Sequence, residues 1–477
     1  MMGTKSYQEK MFYNFSLSKR VPEDHLLRKL EEVLDLRFVR EFVSDQYSHT
    51  GQPSIDPIVI FKMMLIGYLY GITSERRLAD EAAVNLAYLW YLGYDLDEPT
   101  PHHSVLSKAR SRYGKEVFER FFQLILQKCV EAGLVGGEKV FADSTFIKAN
   151  ASLKSLVTRS EAIEPRYKVK EYVERVFTEN PVEEEPATPE SPPPPADSQK
   201  LSNKTHVSTT DPDSSVISHG QKLPLHLYYK EHFTVDSHAR VITAVEVTPG
   251  ATGDESQLST LLDHQPMPVK EVCGDTKYGT FFNYHYLAQR NILPSISPWS
   301  PGHPAQKRFT INQFLYNPTT DTYTCPGGKT LKRGNNRAHP DRWSYHASKR
   351  DCRVCPIRSQ CISPALKKRY LLSHIYQRDK DQALLHLQTD HAKTTLRQRK
   401  VYAEWINAES KSFHGLRRAM FRGLPKVTIQ VFMTASVQNL KRLIKHAFRI
   451  APNPEILLQS TVSFIKSFFY IRIPVCI

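Results

Sequence analysis

"EKVFADSTFIKANAS", residues 138–152, decides how the rest of the chain is read. Val140 and Ala142 alternate with Phe141 as on a strand buried on both faces. The hydrophobic run then stops at an acid, Asp143, a residue type disfavoured in strands. A lone Asp at a strand end ordinarily caps the turn that follows, here continued by Ser144 and Thr145. The alternative is a carboxylate placed for chemistry, and distant segments have to decide between the two.

A second strand ends in the same way. In "VKEVCGDTKYGT", 269–280, the apolar residues from Val269 to Cys273 lead into Gly274 and Asp275. Between the two acids, "HLYYKEHFTVDSHARVITAVEVTPG" carries alternating patterns over Tyr229 to Asp236 and Arg240 to Thr248, which predict a hairpin turning at Ser237 and His238. The segment "DESQLSTLLDH" then reads as a helix with Asp254 as its cap beside Gly253. His232, on the first hairpin strand, reads as a core histidine with no metal role. Two strands of one α/β sheet thus each deliver a carboxylate near their C-terminal end, where open α/β sheets place their chemistry.

The third acid lies on a helix. In "RQRKVYAEWINAESKSFHGLRRAMFRG", 397–423, Val401, Trp405, Ala408 and Leu416 fall at helical spacing for a core face. Beside them Glu404, Lys411 and Arg418 recur every seven residues and predict one stripe of an acid and two bases. From Lys393 to Arg449 there are thirteen Lys and Arg against two acids, a surplus that on its own describes a solvated surface. Carboxylates drawn together from distant segments repel unless cations neutralise them. Magnesium suits that role, since it takes oxygen ligands and is held by carboxylates and substrate phosphates. Two such ions about 3.5–4 Å apart serve phosphoryl transfer. A basic helix beside them would hold a polyanion.

Composition points the same way. The 477 residues contain 64 Lys and Arg against 49 Asp and Glu, a net charge of +15. The pI near 9.3 favours a polyanionic partner over an acidic small molecule. The start "MMGTKSYQEKMF" has no apolar leader, and the apolar run Ile58 to Tyr70 is interrupted by Lys62, so a cytoplasmic protein with a buried helix is expected. The apolar end "ILLQSTVSFIKSFFYIRIPVCI" carries Lys466, Arg472 and Pro474, which reads as a tail rather than a span; no membrane partner is expected.

The region before the first strand reads as helical. Asp56 followed by Pro57 marks a helix start, and "IVIFKMMLIGYLYG" has to be buried nearly all round. "SERRLADEAAVNLAYLWYLGY" and "TPHHSVLSKARSRYG" follow as amphipathic segments, the second with Ser104 placed to cap and with Lys108, Arg110 and Arg112. That pair fits a helix-turn-helix offering a basic helix to DNA, and equally a helical bundle with a solvated basic face. Residues 178–197, with seven prolines and six acids in twenty positions, predict an extended disordered insertion.

Four of the seven cysteines lie close in sequence: Cys325, then Cys352-x2-Cys355-x5-Cys361. Thiolates at that spacing can share a zinc ion; an iron–sulfur cluster would use the same ligands, and four reduced thiols are the plain alternative. Lys and Arg crowd this segment, so it reads as a small zinc-stapled insertion that touches DNA. Cys129, Cys273 and Cys476 read as ordinary buried or tail thiols.

In the order "FADSTFIKANAS", "STTDPDSS", "YYKEHFTVDSHARVITAVEVTPGATGDESQLSTLL", "CGDTKYGT" and "AEWINAESKSFHGLRRAMFRGLPKVTIQVFMTASVQNLKRL", the chain resembles bacterial insertion-sequence transposases of the DDE class. Within the IS-four-like superfamily the group numbered eleven eighty-two is the nearest likeness. It covers roughly residues 15 to 450, and its most specific part is the Glu-x6-Lys-x3-Gly spacing at Glu404, Lys411 and Gly415. The resemblance implies a ribonuclease H-like catalytic core, an all-α N-terminal DNA-binding domain and a Cys-rich insertion. It implies that Asp143, Asp275 and Glu404 hold Mg²⁺ or Mn²⁺, and that Lys411 contacts DNA near the cut phosphate. Lys400, with Arg399 beside it, stands where the family commonly has arginine, keeping the charge and losing the bidentate fork. "INAE" replaces the usual phenylalanine-glycine after the glutamate, which makes Glu409 a rival third ligand.

The domains expected are a helical DNA-binding domain over 1–136, the first part of the catalytic core over 137–300, a Cys-rich insertion over 301–390, the second part of the core over 391–450 and a tail over 451–477. The function expected is a DNA transposase that binds its element's ends and performs metal-dependent cleavage and strand transfer, acting as a homo-oligomer on DNA in the nucleoid. A non-catalytic DNA-binding relative and a nuclease that cuts without joining are the alternatives. The DNA-binding residues expected are Lys108, Arg110, Arg112, Arg399, Lys400, Lys411 and Arg418.

Overall fold

A computed structural model describes residues 14–48, 50–159, 201–219, 223–299, 308–334 and 340–448, with Met2 and Lys5. The Pro-rich stretch at 178–197 and the tail from 451 onward lie outside the described residues. The chain divides into two compact units. One comprises the described residues of Met1–Leu134, Ser410–Leu416 and Ile429–Ile477, the other those of Val135–Glu409 and Arg417–Thr428.

The first unit is helical, and its central helix is Pro57–Tyr70. The Asp56 carboxylate accepts from the Ile58 amide at 2.9 Å, Pro57 occupies the first turn, and Gly71 closes the helix at φ 68°. Nine of its residues, from Ile60 to Leu69, are buried, as a helix apolar on every face requires. Phe61 anchors it, with ring centroids 5.4 Å from Phe118 and 5.1 Å from Phe121. Those partners lie on the helix Ser104–Glu131, which breaks at Gly114 (φ 68°, ψ 178°). Ser104 does not cap this helix but opens it. His103 takes the cap position without a side-chain bond, and His102 Nδ1, one residue earlier, lies 2.9 Å from the Ser104 hydroxyl and accepts from its amide at 3.3 Å. No single helix among the described residues is long and apolar enough to cross a membrane.

The second unit is built on a six-stranded mixed sheet. Numbering strands in chain order, β1 is Lys139–Lys148, β2 Leu156–Thr158, β3 His206–Ser208, β4 Ser215–His219, β5 Leu223–Asp236, β6 Ile242–Pro249, β7 Glu271–Gly274 and β8 Leu293–Ile296. β1 is central, antiparallel to β5 on one side and parallel to β7 on the other, with β8 parallel beyond β7. The far edge of β5 is shared by β4 and β6, and β5–β6 is the expected hairpin. β2 and β3 pair separately.

Val140 and Ala142 face a core made with Val272, Ile296 and the helical residues Leu258, Leu262 and Leu287. Phe141 faces the other way and stacks on Tyr402, centroids 4.6 Å apart at 4°. β1 is therefore covered on both faces, as its first four residues predict. It does not end at Asp143, which pairs with Phe233 in mid-strand.

A second, antiparallel sheet was not legible in the sequence. β9 (Leu315–Asn317), β10 (Thr322–Thr324), β11 (Thr330–Gly334), β12 (Arg342–His346) and β13 (Tyr370–His374) form a meander in which each strand pairs with the next. Phe314, Tyr323, Leu331, Tyr345 and Leu371 form its small core, with Cys325, Cys352 and Cys361 packed against it.

The helix face expected around Glu404 is corrected. Val401, Trp405 and Ala408 are exposed, whereas Ala403 and Ile406 are buried. Val401, Trp405 and Ala408 still share one face, as their helical spacing predicts, but the face turned to the core is that of Ala403 and Ile406; a five-residue π turn, Lys400–Glu404, leads into the α-helix. The α-helix that follows ends at Phe413, and Gly415 turns the chain at φ 71°. Arg418 thus leaves the expected stripe and forms a backbone bridge with Lys148.

Candidate catalytic carboxylate site

The parallel pairing of β1 with β7 runs to Phe141 opposite Cys273. Two residues beyond this pair come Asp143, in the middle of β1, and Asp275, just past the end of β7, so the first two acids lie at matched positions of neighbouring chain segments. Asp275 follows β7 directly and accepts from the Lys277 amide at 2.9 Å, capping the short turn Thr276–Tyr278. Asp143 is largely enclosed, with 13% of its side chain exposed. Burial pushes its carboxyl from 3.8 up to about 6, with nearby Asp275 and Asp254 adding and Arg399 opposing. It is no turn cap: one oxygen accepts from Asn407 Nδ2 at 3.1 Å, and the other lies 3.5 Å from Arg399 Nη1.

Glu404 ends the π turn with 53% of its side chain exposed, and its Oε1 lies 3.8 Å from Arg399 Nη2. One guanidinium therefore reaches both the first and the third acid. Glu409, the rival, is buried. Oxygen-only donors of this kind suit a hard divalent cation, and a carboxyl pushed up by burial is one whose charge is under-compensated. Among the described residues, no three His, Cys, Asp or Glu side chains already close on a common point as metal ligands, and Arg399 stands between two of the acids.

Beneath the acids lies a polar cluster that sequence reasoning missed. Asp254, expected as a helix cap, is almost fully buried. Its carboxylate lies 3.1 Å from Lys230 Nζ, 3.1 Å from Lys277 Nζ and 3.6 Å from His232 Nδ1. The turn Asp254–Gln257 starts at this residue, and Gly253 takes the cap position without a side chain, so the acid is released to pair with lysines. His232 Nε2 meets Thr248 Oγ1 at 2.9 Å, and burial lowers its pKa to about 4, so the ring is neutral. Lys230, His232 and Thr234 occupy alternate positions on a strand buried on both faces. Polar residues at period two where apolar ones belong were the signal available.

The expected DNA-binding residues scatter. Lys108 and Arg112 are exposed, the latter over the Tyr47 ring at 4.7 Å. Arg110 turns inward instead, 5% exposed and ion-paired with Glu75, which corrects the expectation that it faces DNA; its position falls on the buried side of the helix, beside Ala109 and Tyr113. Lys400 and Arg418 are exposed, and Arg418 Nη2 donates to Asn150 Oδ1 at 3.0 Å. Lys411 lies on the helix Trp405–Phe413, half-buried. Arg399 belongs to the carboxylate site.

Cys325, Cys352, Cys355 and Cys361 line one cavity together with Asp351 and Arg369. Burial, and then the other three sulfurs, push the Cys361 thiol up. The sulfurs share a pocket without already forming a metal cluster. Cys129 and Cys273 are buried, as expected of ordinary thiols.

Compared with known proteins, residues 15–112 match a transposase domain, DUF772, and residues 324–444 match a transposase DDE domain. The second match contains Arg399, Glu404, Lys411 and the four clustered cysteines; Asp143 and Asp275 precede it. No curated protein matches the chain. A solved structure, a piggyBac transposase synaptic complex with hairpin DNA, is similar at 9% identity over 91% of this chain and 82% of that one, with a TM-score of 0.32. With one transposase domain near its start and a transposase DDE domain near its end, this chain is a DDE-type DNA transposase.

Proposed function

We propose that Asp143, Asp275 and Glu404 form the catalytic triad of this transposase, on a ribonuclease H-like core of the group numbered eleven eighty-two. The observation that carries the reading is the placement of Asp143 on β1 and of Asp275 just after β7, each two residues beyond the last parallel pair Phe141–Cys273, with Arg399 reaching from Asp143 to Glu404. The strand order β6-β5-β1-β7-β8, in which β5 alone runs antiparallel to β1, β7 and β8 and β6, antiparallel to β5, runs the same way as β1, supports the ribonuclease H-like reading.

The three carboxylates would hold Mg²⁺ or Mn²⁺, which when bound supplies activation of the attacking oxygen and charge stabilisation at phosphorus. The chain's own residues do the rest. β1 and β7 hold the first two acids at a fixed spacing, and Asn407 fixes one oxygen of Asp143. Arg399 neutralises the first and third acids before a cation arrives, and is freed to meet a DNA phosphate once one does. Water or a DNA 3′-hydroxyl is the nucleophile, so no protein nucleophile is required. Lys108, Arg112, Lys400, Lys411 and Arg418 are proposed to bind the element's ends and the target DNA, as an oligomer. The cysteine cavity is proposed to take a structural Zn²⁺, which would draw the four thiolates in and fix the basic meander.

The test is cleavage and joining of a duplex carrying the element's ends, with Mg²⁺ or Mn²⁺. Wild type and Glu409→Gln are expected to cut and join, while Asp143→Asn and Glu404→Gln bind the ends and do neither. Loss on Glu409→Gln with retention on Glu404→Gln would reassign the third ligand. Nicking without joining would mark a nuclease.

A further inference from the structure

Lys277 presents a problem for the site just described. It lies two residues after Asp275, 46% of its side chain is exposed, and both Asp275 and Asp143 act on its charge. An ammonium on a flexible stem at that place would pair with the acids that the proposed function needs for a divalent cation. Its Nζ is instead bound to Asp254, 3.1 Å from Oδ2.

We propose that Asp254 is a positioning residue: a buried carboxylate that holds the Lys277 ammonium off Asp143 and Asp275, keeping that pair open to a divalent cation. Asp254 is itself fixed from behind. Lys230 Nζ lies 3.1 Å from its other oxygen while donating to the Thr252 carbonyl at 2.7 Å, and His232, neutral and buried, closes the third side. With two ammonium groups on one carboxylate, Asp254 is compensated and needs no metal of its own, unlike Asp143. Removing its charge while keeping its shape would free Lys277 to turn to the other acids that act on its charge, Asp275 and Asp143. This inference rests on the triad reading.

The test uses the full chain without DNA and measures Mn²⁺ affinity by calorimetric titration, beside end binding in EDTA. Asp254→Asn is expected to weaken Mn²⁺ binding about tenfold, the scale on which residues behind metal ligands act. The Asp254→Asn/Lys277→Gln pair is expected to recover it, because the competing cation is gone. A merely structural Asp254 would not be rescued by removing Lys277, so an unrescued loss overturns the proposal, as does unchanged affinity in Asp254→Asn. Should Asp254→Asn alone fail to fold, adding Lys230→Met removes the stranded ammonium, and the comparison with and without Lys277→Gln is made on that background. Asp143→Asn separates the two readings: if it too binds Mn²⁺ normally, the triad reading fails and this one with it, whereas loss there with no loss in Asp254→Asn defeats this proposal alone.

Discussion

Asp143→Asn should make the metal-free protein more stable while removing its activity. The folded protein holds this carboxyl near pKa 6 against 3.8 for the free group, chiefly because burial penalises its charge. A folded-state pKa raised above the unfolded one contributes stability that is full below 3.8 and is lost as pH rises through about 6. At pH 7.5 the loss is complete and amounts to about 3 kcal/mol. Asn keeps the shape and removes the charge, so it recovers most of that, about 2–3 kcal/mol. The ion pair with Arg399 at 3.5 Å is already included in the shifted value, and Arg399 retains Glu404. In thermal unfolding of the full chain in EDTA at pH 7.5, the transition of the sheet-containing unit should rise by roughly 5 °C or more. At pH 5 the gap should narrow, because wild-type Asp143 is then mostly protonated. Adding Mg²⁺ should raise wild type and leave the variant unmoved. A variant less stable than wild type at pH 7.5 in EDTA, or a gap that does not change with pH, would refute the claim that Asp143 is a buried charge awaiting a cation.

Three further outcomes are expected. Phe141→Ala removes the ring stacked on Tyr402 and should cost about 3–5 kcal/mol in denaturant unfolding, whereas Trp405→Ala, at an exposed position, should cost under 1 kcal/mol. Lys108→Ala and Arg112→Ala should each weaken binding to the element's ends and lower the salt dependence by about 0.9 per contact, while Arg110→Ala should instead destabilise the helical unit by about 3 kcal/mol through the stranded Glu75. Purified protein should contain about one zinc per chain by elemental analysis, and Cys352→Ser should lose it; a metal-free wild type would leave the cysteines as packing groups against Tyr323 and Leu331.

Features decided within a few residues are legible in the amino-acid sequence alone. The two-faced burial of β1, the Asp56–Pro57 helix start, the β5–β6 hairpin and the buried helix Pro57–Tyr70 follow from alternation, capping and continuous apolarity, which are local properties. The two acids at residues 143 and 275 are legible too, because an Asp ending an apolar run is visible without partners. What depends on the third dimension is which charges meet. Arg399 lies next to Lys400 in sequence, yet only the π turn and the packing of Tyr402 on Phe141 bring its guanidinium between Asp143 and Glu404. Arg110 and Lys108 look alike in the chain, and two residues of helical rotation bury one and expose the other. Asp254 has the sequence context of a helix cap, and becomes a partner of Lys230 and Lys277 because strand β5 and the loop after β7 deliver their ammonium groups to it. Pattern along the chain specifies which side chains are inside; electrostatic pairing acts through space at a few ångströms, so only the folded arrangement of strands and turns assigns each charge its partner.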